Sequence, residues 1–145
     1  SGSASGSSSA LLDDYEEGTF QPTIGFNSGG SSNVGTNNDG ITGHYVKIGR
    51  QVSFVISIFN QTISGSSLNH YCYGLPFANG AKRSTTGHPQ WLYTFNSNNP
   101  VIGLIQSNSS QIEFLEQGAT IWGGMSFTTG SGRYLHVHGV YFTDY

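Results

Sequence analysis

The feature that most constrains the fold is the sequence pattern from Gly18 onward, where short apolar or alternating runs are separated by clusters of Gly, Asn and Ser. Such runs are typical of β-strands, and the clusters between them are typical of turns. The segments with this pattern are Thr19–Phe26, Gly43–Ile48, Gln51–Phe59, Tyr71–Leu75, Trp91–Phe95, Val101–Ile105, Gln111–Leu115, Ile121–Phe127 and Tyr134–Phe142. We therefore predict one all-β domain, a jelly-roll-like antiparallel β-sandwich.

The third segment and its neighbours carry the most specific local signals. Its alternate positions are apolar at Val52, Phe54, Ile56 and Ile58. The positions between them include Val55 and Phe59, so we expect both faces of this strand to be partly covered. Gly49–Arg50 has the spacing of a two-residue hairpin turn. The long segments Asn27–Gly40 and Ala78–Pro89 are expected to be functional or disordered loops.

The first part of the chain has a different composition. Residues 1–10 are rich in Ser and Gly and predict a flexible linker, either native or left by the expression vector, before a head domain over 11–145. No signal peptide is recognisable in this segment, which lacks a basic start and an apolar centre. Ala10–Glu17 then predicts one short helical turn with Leu11, Leu12 and Tyr15 on one face. A turn of this length is unstable alone, so we expect it to dock on something.

Charge and cysteine content exclude several classes of function. Charged residues make up 9% of the chain, against about a quarter in ordinary soluble proteins, and this favours a chain packed beside other chains. Five basic against eight acidic residues leave no basic face for nucleic acid. No apolar run approaches the ~18 residues of a membrane span, so we expect no membrane insertion. The lone cysteine, Cys72, excludes an internal disulfide and is expected to be buried.

Three motifs resemble those of a known family. LDDYEEGTFQPTI (Leu12–Ile24) resembles the motif that opens the C-terminal domains of many bacteriophage tail fibres and tailspikes. YVKIGRQVSF (Tyr45–Phe54) resembles the hairpin of those domains, and GLPF (Gly74–Phe77) resembles a short element that follows it. The resemblance implies a jelly-roll-like sandwich, three copies side by side, and a position at the fibre tip that contacts the host surface. It identifies no binding residues.

In a trimer, Leu11 and Leu12 are expected to pack around the shared axis. The acids beside them are Asp13, Asp14, Glu16 and Glu17. They are expected to face water or a neighbouring chain's Arg50 or Lys47, and a calcium site is the alternative interpretation. His136 and His138 lie two apart and therefore on one strand face. Two imidazoles are too few for a metal in one chain, although three strands near an axis would bring six together.

Aromatic residues are the best candidates for ligand contact, because the apolar face of a sugar ring stacks on Trp or Tyr. The residues proposed for ligand binding are Tyr71, Tyr73, His88, Trp91, Trp122 and Tyr134. Nearby polar residues such as Asn98 and Arg133 are available as partners for sugar hydroxyls. The competing interpretation is that these aromatics belong to the core.

An enzyme is not expected. Glycoside hydrolysis needs two facing carboxylates, whereas Glu113 and Glu116 are three apart and fall on opposite faces of a strand. No nucleophile elbow, zinc-protease motif, C-x-x-C or phosphate loop is present, and no cofactor is implied. We predict the receptor-binding tip of a virion appendage, a homotrimer attached to an upstream fibre or stalk, binding a host glycan or surface protein. A purely structural capping domain and a polysaccharide-degrading enzyme are the alternatives.

Overall fold

The structure, a computed structural model, describes residues 14–26, 40–63, 70–95, 97–118, 122–124 and 127–144. These residues form two antiparallel β-sheets and no helix, which confirms the all-β prediction. Sheet A has the spatial order β1 (Tyr15–Phe20), β3 (Ile41–Ile48), β4 (Gln51–Ile63), β11 (Gly130–Phe142) and β7 (Gln90–Leu92). Sheet B has the order β2 (Thr23–Phe26), β5 (His70–Tyr73), β9 (Gln111–Gln117), β8 (Val101–Ile105) and β6 (Ser84–Thr85), and β10 (Trp122–Gly124) also pairs with β9.

The alternation in β4 determines which face of sheet A is buried. The apolar positions Val52, Phe54, Ile56 and Ile58 are at most 3% exposed, as the sequence pattern predicts. They share their face with Leu135, Val137 and Tyr141 of the neighbouring strand β11, which are at most 1% exposed. The residues that alternate with these buried positions along the strands point to the opposite side of sheet A, which is called here the outer face.

The β3–β4 hairpin has the predicted two-residue turn. Ile48 pairs with Gln51, so Gly49 and Arg50 form the connection. Gly49 has a φ of 57°, a value that the first central position of such a turn requires and that glycine adopts without steric cost.

Sheet B supplies the other half of the core. Ile105, Ile112 and Phe114 are fully buried, and Phe114 packs with two further phenylalanines at ring-centroid distances of 5.3 Å (Phe95) and 5.6 Å (Phe127). Cys72 is buried as predicted, and burial raises the pKa of its thiol to about 12. The thiol is therefore protonated and unreactive at neutral pH.

The expected helical turn over Ala10–Glu17 is wrong for the residues that the structure describes. Tyr15–Glu17 belong to β1 and pair with Val46–Ile48 of β3. Backbone hydrogen bonds to a neighbouring strand satisfy this segment better than one isolated helical turn can. Leu11 and Leu12 lie outside the described residues.

Four predicted strands are shorter or divided, and one of them, Tyr71–Leu75, ends at Tyr73 in β5. Thr19–Phe26 breaks at Gln21–Pro22, where the chain leaves the edge of sheet A and enters the edge of sheet B. Proline lacks the N–H that a strand interior needs, so the predicted edge or bulge position is confirmed. Among the described residues around Trp91 and Trp122, the strands are β7 and β10, and Phe95 and Phe127 join in an isolated bridge. No helix in the described part is long and apolar enough to cross a membrane.

Candidate functional site

A surface cleft of about 430 Å³ lies beside β7, in the segments that connect β6 to β8. Its lining residues are His88, Trp91, Ser97, Asn98, Asn99 and Pro100. The fold thus brings together His88 and Trp91, two of the residues that the sequence proposes for ligand binding. We take this cleft, called here the Trp91 cleft, as the candidate functional site.

Thr86 anchors the chain immediately before the cleft. Its N–H donates to the Gly103 carbonyl over 2.8 Å, and its hydroxyl accepts from the Gly103 N–H over 2.9 Å. Thr86 also forms a bridge with Gly139 of β11, so it connects sheet B to sheet A. A Cβ at Gly103 would lie 2.7 Å from the Thr86 Oγ1 atom, so glycine is needed for this close approach.

The imidazole of His88 is held by the strand that follows the cleft. Its Nδ1 atom lies 2.8 Å from the carbonyl oxygen of Val101. A carbonyl only accepts hydrogen bonds, so Nδ1 carries the proton and donates it. In the neutral ring, Nε2 is then an acceptor for a hydroxyl or amide donor of a ligand.

Trp91 belongs to β7 and contributes both to the core and to the cleft. It pairs with Leu135 and packs edge-on against Phe95, with the ring centroids 5.6 Å apart and an interplanar angle of 81°. The indole is half-buried. A fixed indole that also lines a cleft is a suitable platform for an apolar ligand face.

Glu116 of β9 holds the loop that forms the other wall. The Ser97 hydroxyl and the Asn99 side-chain amide both donate to its Oε1 atom, each over 2.6 Å. These hydrogen bonds stabilise the carboxylate and lower the pKa of Glu116 below its ordinary value. The Gln117 N–H also donates to the Pro100 carbonyl over 3.0 Å, so the loop is attached to β9 at two points.

This set of side chains matches the chemistry of a carbohydrate. A sugar ring has an apolar C–H face for the indole, and hydroxyl groups for amides, an imidazole and a serine hydroxyl. None of the six lining residues is a lysine or arginine. The cleft therefore favours a neutral polar ligand with an apolar face.

The two predicted tyrosines of β5 lie elsewhere, on the face of sheet B that points away from the core. Tyr71 is only 6% exposed, and its hydroxyl donates to Glu113 over 3.3 Å. Tyr73 is half-buried, with its ring 6.0 Å from that of Tyr71 and close against Gly25. These two tyrosines are not part of the Trp91 cleft.

The remaining predicted residues are also separate from the cleft. Tyr134 is half-buried on the outer face of sheet A, edge-on to Phe59 at 5.1 Å. His136 and His138 share that face, while Leu135 and Val137 point into the core, as predicted. The described residues contain no group of three or more metal-ligating side chains. Trp122 belongs to β10, but its side chain lies outside the described part.

Four contributors were not predicted as site residues: Ser97, Asn99, Pro100 and Glu116. From the sequence alone, Glu116 is considered only as a candidate catalytic carboxylate. Its hydrogen bonds connect residues 19 and 17 positions apart, which no local pattern predicts. The only available sequence signal is the cluster of short polar residues that precedes β8.

Comparison with known proteins shows one similarity of fold. No family model and no curated protein sequence matches the chain. The chain is similar in structure to the Dettilon tailspike protein, with a TM-score of 0.64 and 18% sequence identity over 88% of this chain. It spans about a quarter of that protein's length, 24%. At this identity the similarity concerns the fold.

Proposed function

We propose that this domain is the receptor-binding tip of a phage tail fibre, tailspike or similar virion appendage. In this proposal it attaches to a host cell-surface glycan as a jelly-roll-like homotrimer on an upstream stalk. The observation that carries the proposal is the Trp91 cleft, where a fixed indole lies beside amide, hydroxyl and imidazole groups. This combination suits carbohydrate recognition, and a host surface protein is the second candidate ligand.

Two further observations support the virion setting. The fold is similar to that of the Dettilon tailspike protein. The segment Leu12–Ile24 resembles the motif that opens phage fibre and tailspike C-terminal domains. Attachment through three equivalent sites would give high avidity even when each cleft binds weakly.

We propose that attachment occurs without catalysis. Glu113 bonds to Tyr71 and to Gln106 on the outward face of sheet B, whereas Glu116 bonds to Ser97 and Asn99 beside the cleft. The two carboxylates therefore do not flank one common position, which glycoside hydrolysis requires.

A structural role is the alternative that one observation favours. Tyr71, one of the residues proposed for ligand binding, is 6% exposed and donates to Glu113, so its ring is covered by the chain itself. A domain whose only role is to end a fibre and align its three chains uses its aromatic residues for packing and needs no ligand cleft. The occupancy of the Trp91 cleft therefore decides between the two roles.

Binding to an array of bacterial surface glycans tests the proposal. Trp91→Leu removes the indole and is expected to weaken binding about tenfold, the equivalent of roughly 1.4 kcal/mol. Tyr93→Leu is the matched control, because Tyr93 is 65% exposed, lies two residues away and does not line the cleft. Equal losses in the two variants, or no binding by the wild-type protein, would contradict glycan recognition at this cleft.

A further inference from the structure

A negative charge lies directly behind one wall of the Trp91 cleft. The Glu116 carboxylate is 2.6 Å from the Ser97 hydroxyl and 2.6 Å from the Asn99 amide nitrogen, and both donors line the cleft. These hydrogen bonds lower the pKa of Glu116, so the side chain is ionised at neutral pH. A ligand atom that hydrogen-bonds to either donor therefore lies within about 6 Å of a full negative charge.

No basic side chain forms an ion pair with Glu116 in the part of the chain that the structure describes. The ion pair found there joins Arg50 to Asp144. Arg133 directs its guanidinium group to backbone carbonyl oxygens of residues 128–131. The six residues that line the cleft include no lysine or arginine. The charge of Glu116 therefore acts on the cleft without a neighbouring cation to neutralise it.

The hydrogen bonds that build the cleft leave acceptor atoms for a ligand. His88 donates its Nδ1 proton to the Val101 carbonyl, so Nε2 of the neutral ring is an acceptor. The Ser97 hydroxyl donates its hydrogen to Glu116 and accepts from the Asn99 N–H over 2.9 Å, which leaves one lone pair on this oxygen. The Asn99 amide nitrogen faces the carboxylate, so its Oδ1 atom is the acceptor that remains. These atoms require hydrogen-bond donors from the ligand.

Charge and hydrogen bonding favour the same chemical group. An ammonium group donates three hydrogen bonds and accepts none, whereas a carboxylate only accepts. An ammonium group near the indole of Trp91 also gains a cation–π attraction. The lining residues alone suit a neutral sugar, and the carboxylate behind them adds a preference among sugars that carry a charge.

We propose that Glu116 sets the charge specificity of the Trp91 cleft, which binds amino sugars with a free ammonium group most tightly, neutral sugars less tightly and acidic sugars least. The inference rests on the proposed glycan binding and names the class of sugar that the cleft selects. Glu116 acts from behind the wall, through its charge and through the orientation of Ser97 and Asn99.

Three sugars that differ in one group test this preference. Methyl glucoside has a hydroxyl on its sixth carbon, methyl 6-amino-6-deoxyglucoside has an ammonium group there, and methyl glucuronide has a carboxylate, so all three share the ring that stacks on Trp91. NMR shift titration at pH 7 gives each Kd. We expect the ammonium sugar to bind about tenfold more tightly than the carboxylate sugar, with methyl glucoside between them. Equal affinities, or tighter binding of the carboxylate sugar, would overturn the charge specificity and leave glycan binding standing. No binding by any of the three would overturn both.

Glu116→Gln separates the charge from the hydrogen bonds, because glutamine keeps a side-chain oxygen for Ser97 and Asn99 but is uncharged. Glu113→Gln is the matched control, since Glu113 lies on the same strand but bonds to Tyr71 on the outward face of sheet B. We expect the Kd ratio of the two charged sugars to fall to about twofold in Glu116→Gln and to stay about tenfold in Glu113→Gln. A ratio measured within one variant is insensitive to a general weakening of the cleft. An unchanged ratio in Glu116→Gln, or an equal fall in both variants, would overturn the role of Glu116.

Discussion

Glu116 illustrates how single residues shape the cleft. One of its oxygens accepts two hydrogen bonds, from Ser97 and Asn99, and both donors line the cleft. The carboxylate therefore organises the loop that contains Ser97 and Asn99 and precedes β8. Its contribution is positional, because it holds the groups that we propose contact the ligand.

The lowered pKa of Glu116 leads to a pH prediction. A carboxyl group whose pKa is lower in the folded state stabilises the fold above its unfolded pKa, and this contribution is lost as pH falls through the folded pKa. Glu116→Gln removes the titrating group. We expect wild type to melt at a higher temperature than the variant at pH 7, with the difference shrinking between about pH 5 and pH 3. A difference that is constant over this range would show that the carboxylate does not hold the loop.

At the scale of single residues, the sequence identifies part of the Trp91 cleft. His88 and Trp91 are predicted because an imidazole and an indole next to a polar loop are recognisable locally. Glu116 is missed as a loop anchor because its role depends on contacts across the sandwich. Tyr71 shows the reverse case: its residue type suits ligand binding, and the fold buries it against Glu113, outside the Trp91 cleft.

At the scale of elements, the segment between β5 and β6 is fixed by one buried side chain. Asn79 is 2% exposed, and its amide nitrogen donates to the carbonyls of Lys82 over 2.7 Å and Ile105 over 3.0 Å. The sequence predicts a functional or disordered loop over Ala78–Pro89. The structure shows a segment that Asn79 holds against β8 and that leads to His88 in the Trp91 cleft, so of the two alternatives the ordered, functional loop is the one that we propose.

Asn79 provides a matched pair of substitutions. Asn79→Ala leaves carbonyl groups unpaired and is expected to cost about 1–3 kcal/mol of unfolding free energy. Asn79→Asp has nearly the same shape but places a carboxylate among carbonyl oxygens, so we expect a larger loss, about 3–5 kcal/mol. Urea unfolding measures both variants. An aspartate variant as stable as the alanine variant would contradict the role of Asn79 as a donor.

Elements are predictable where the local pattern is complete. Val101–Ile105 forms a strand with the predicted bounds, and the Gly49–Arg50 turn is where the spacing places it. The helical turn before Gly18 is wrong because pairing with β3 outweighs a weak local preference. Strand order is beyond local patterns, since β4 and β11 are neighbours although they are distant in sequence.

At the scale of the whole molecule, the fold separates two kinds of surface. The outer face of sheet A carries exposed apolar side chains such as Val55 and Phe59, whereas the Trp91 cleft lies beyond β7 and is lined mainly by polar residues. In the proposed homotrimer each copy carries its own cleft. Three clefts suit a multivalent attachment tip, because weak single sites then give high avidity.

Binding of labelled protein to intact bacterial cells tests this account most directly. We predict saturable binding to at least one bacterial surface, about tenfold weaker binding by Trp91→Leu, unchanged binding by Tyr93→Leu, and loss of binding after periodate oxidation of the cell-surface glycans. Binding that survives periodate, or that Trp91→Leu does not weaken, would contradict glycan attachment through the cleft.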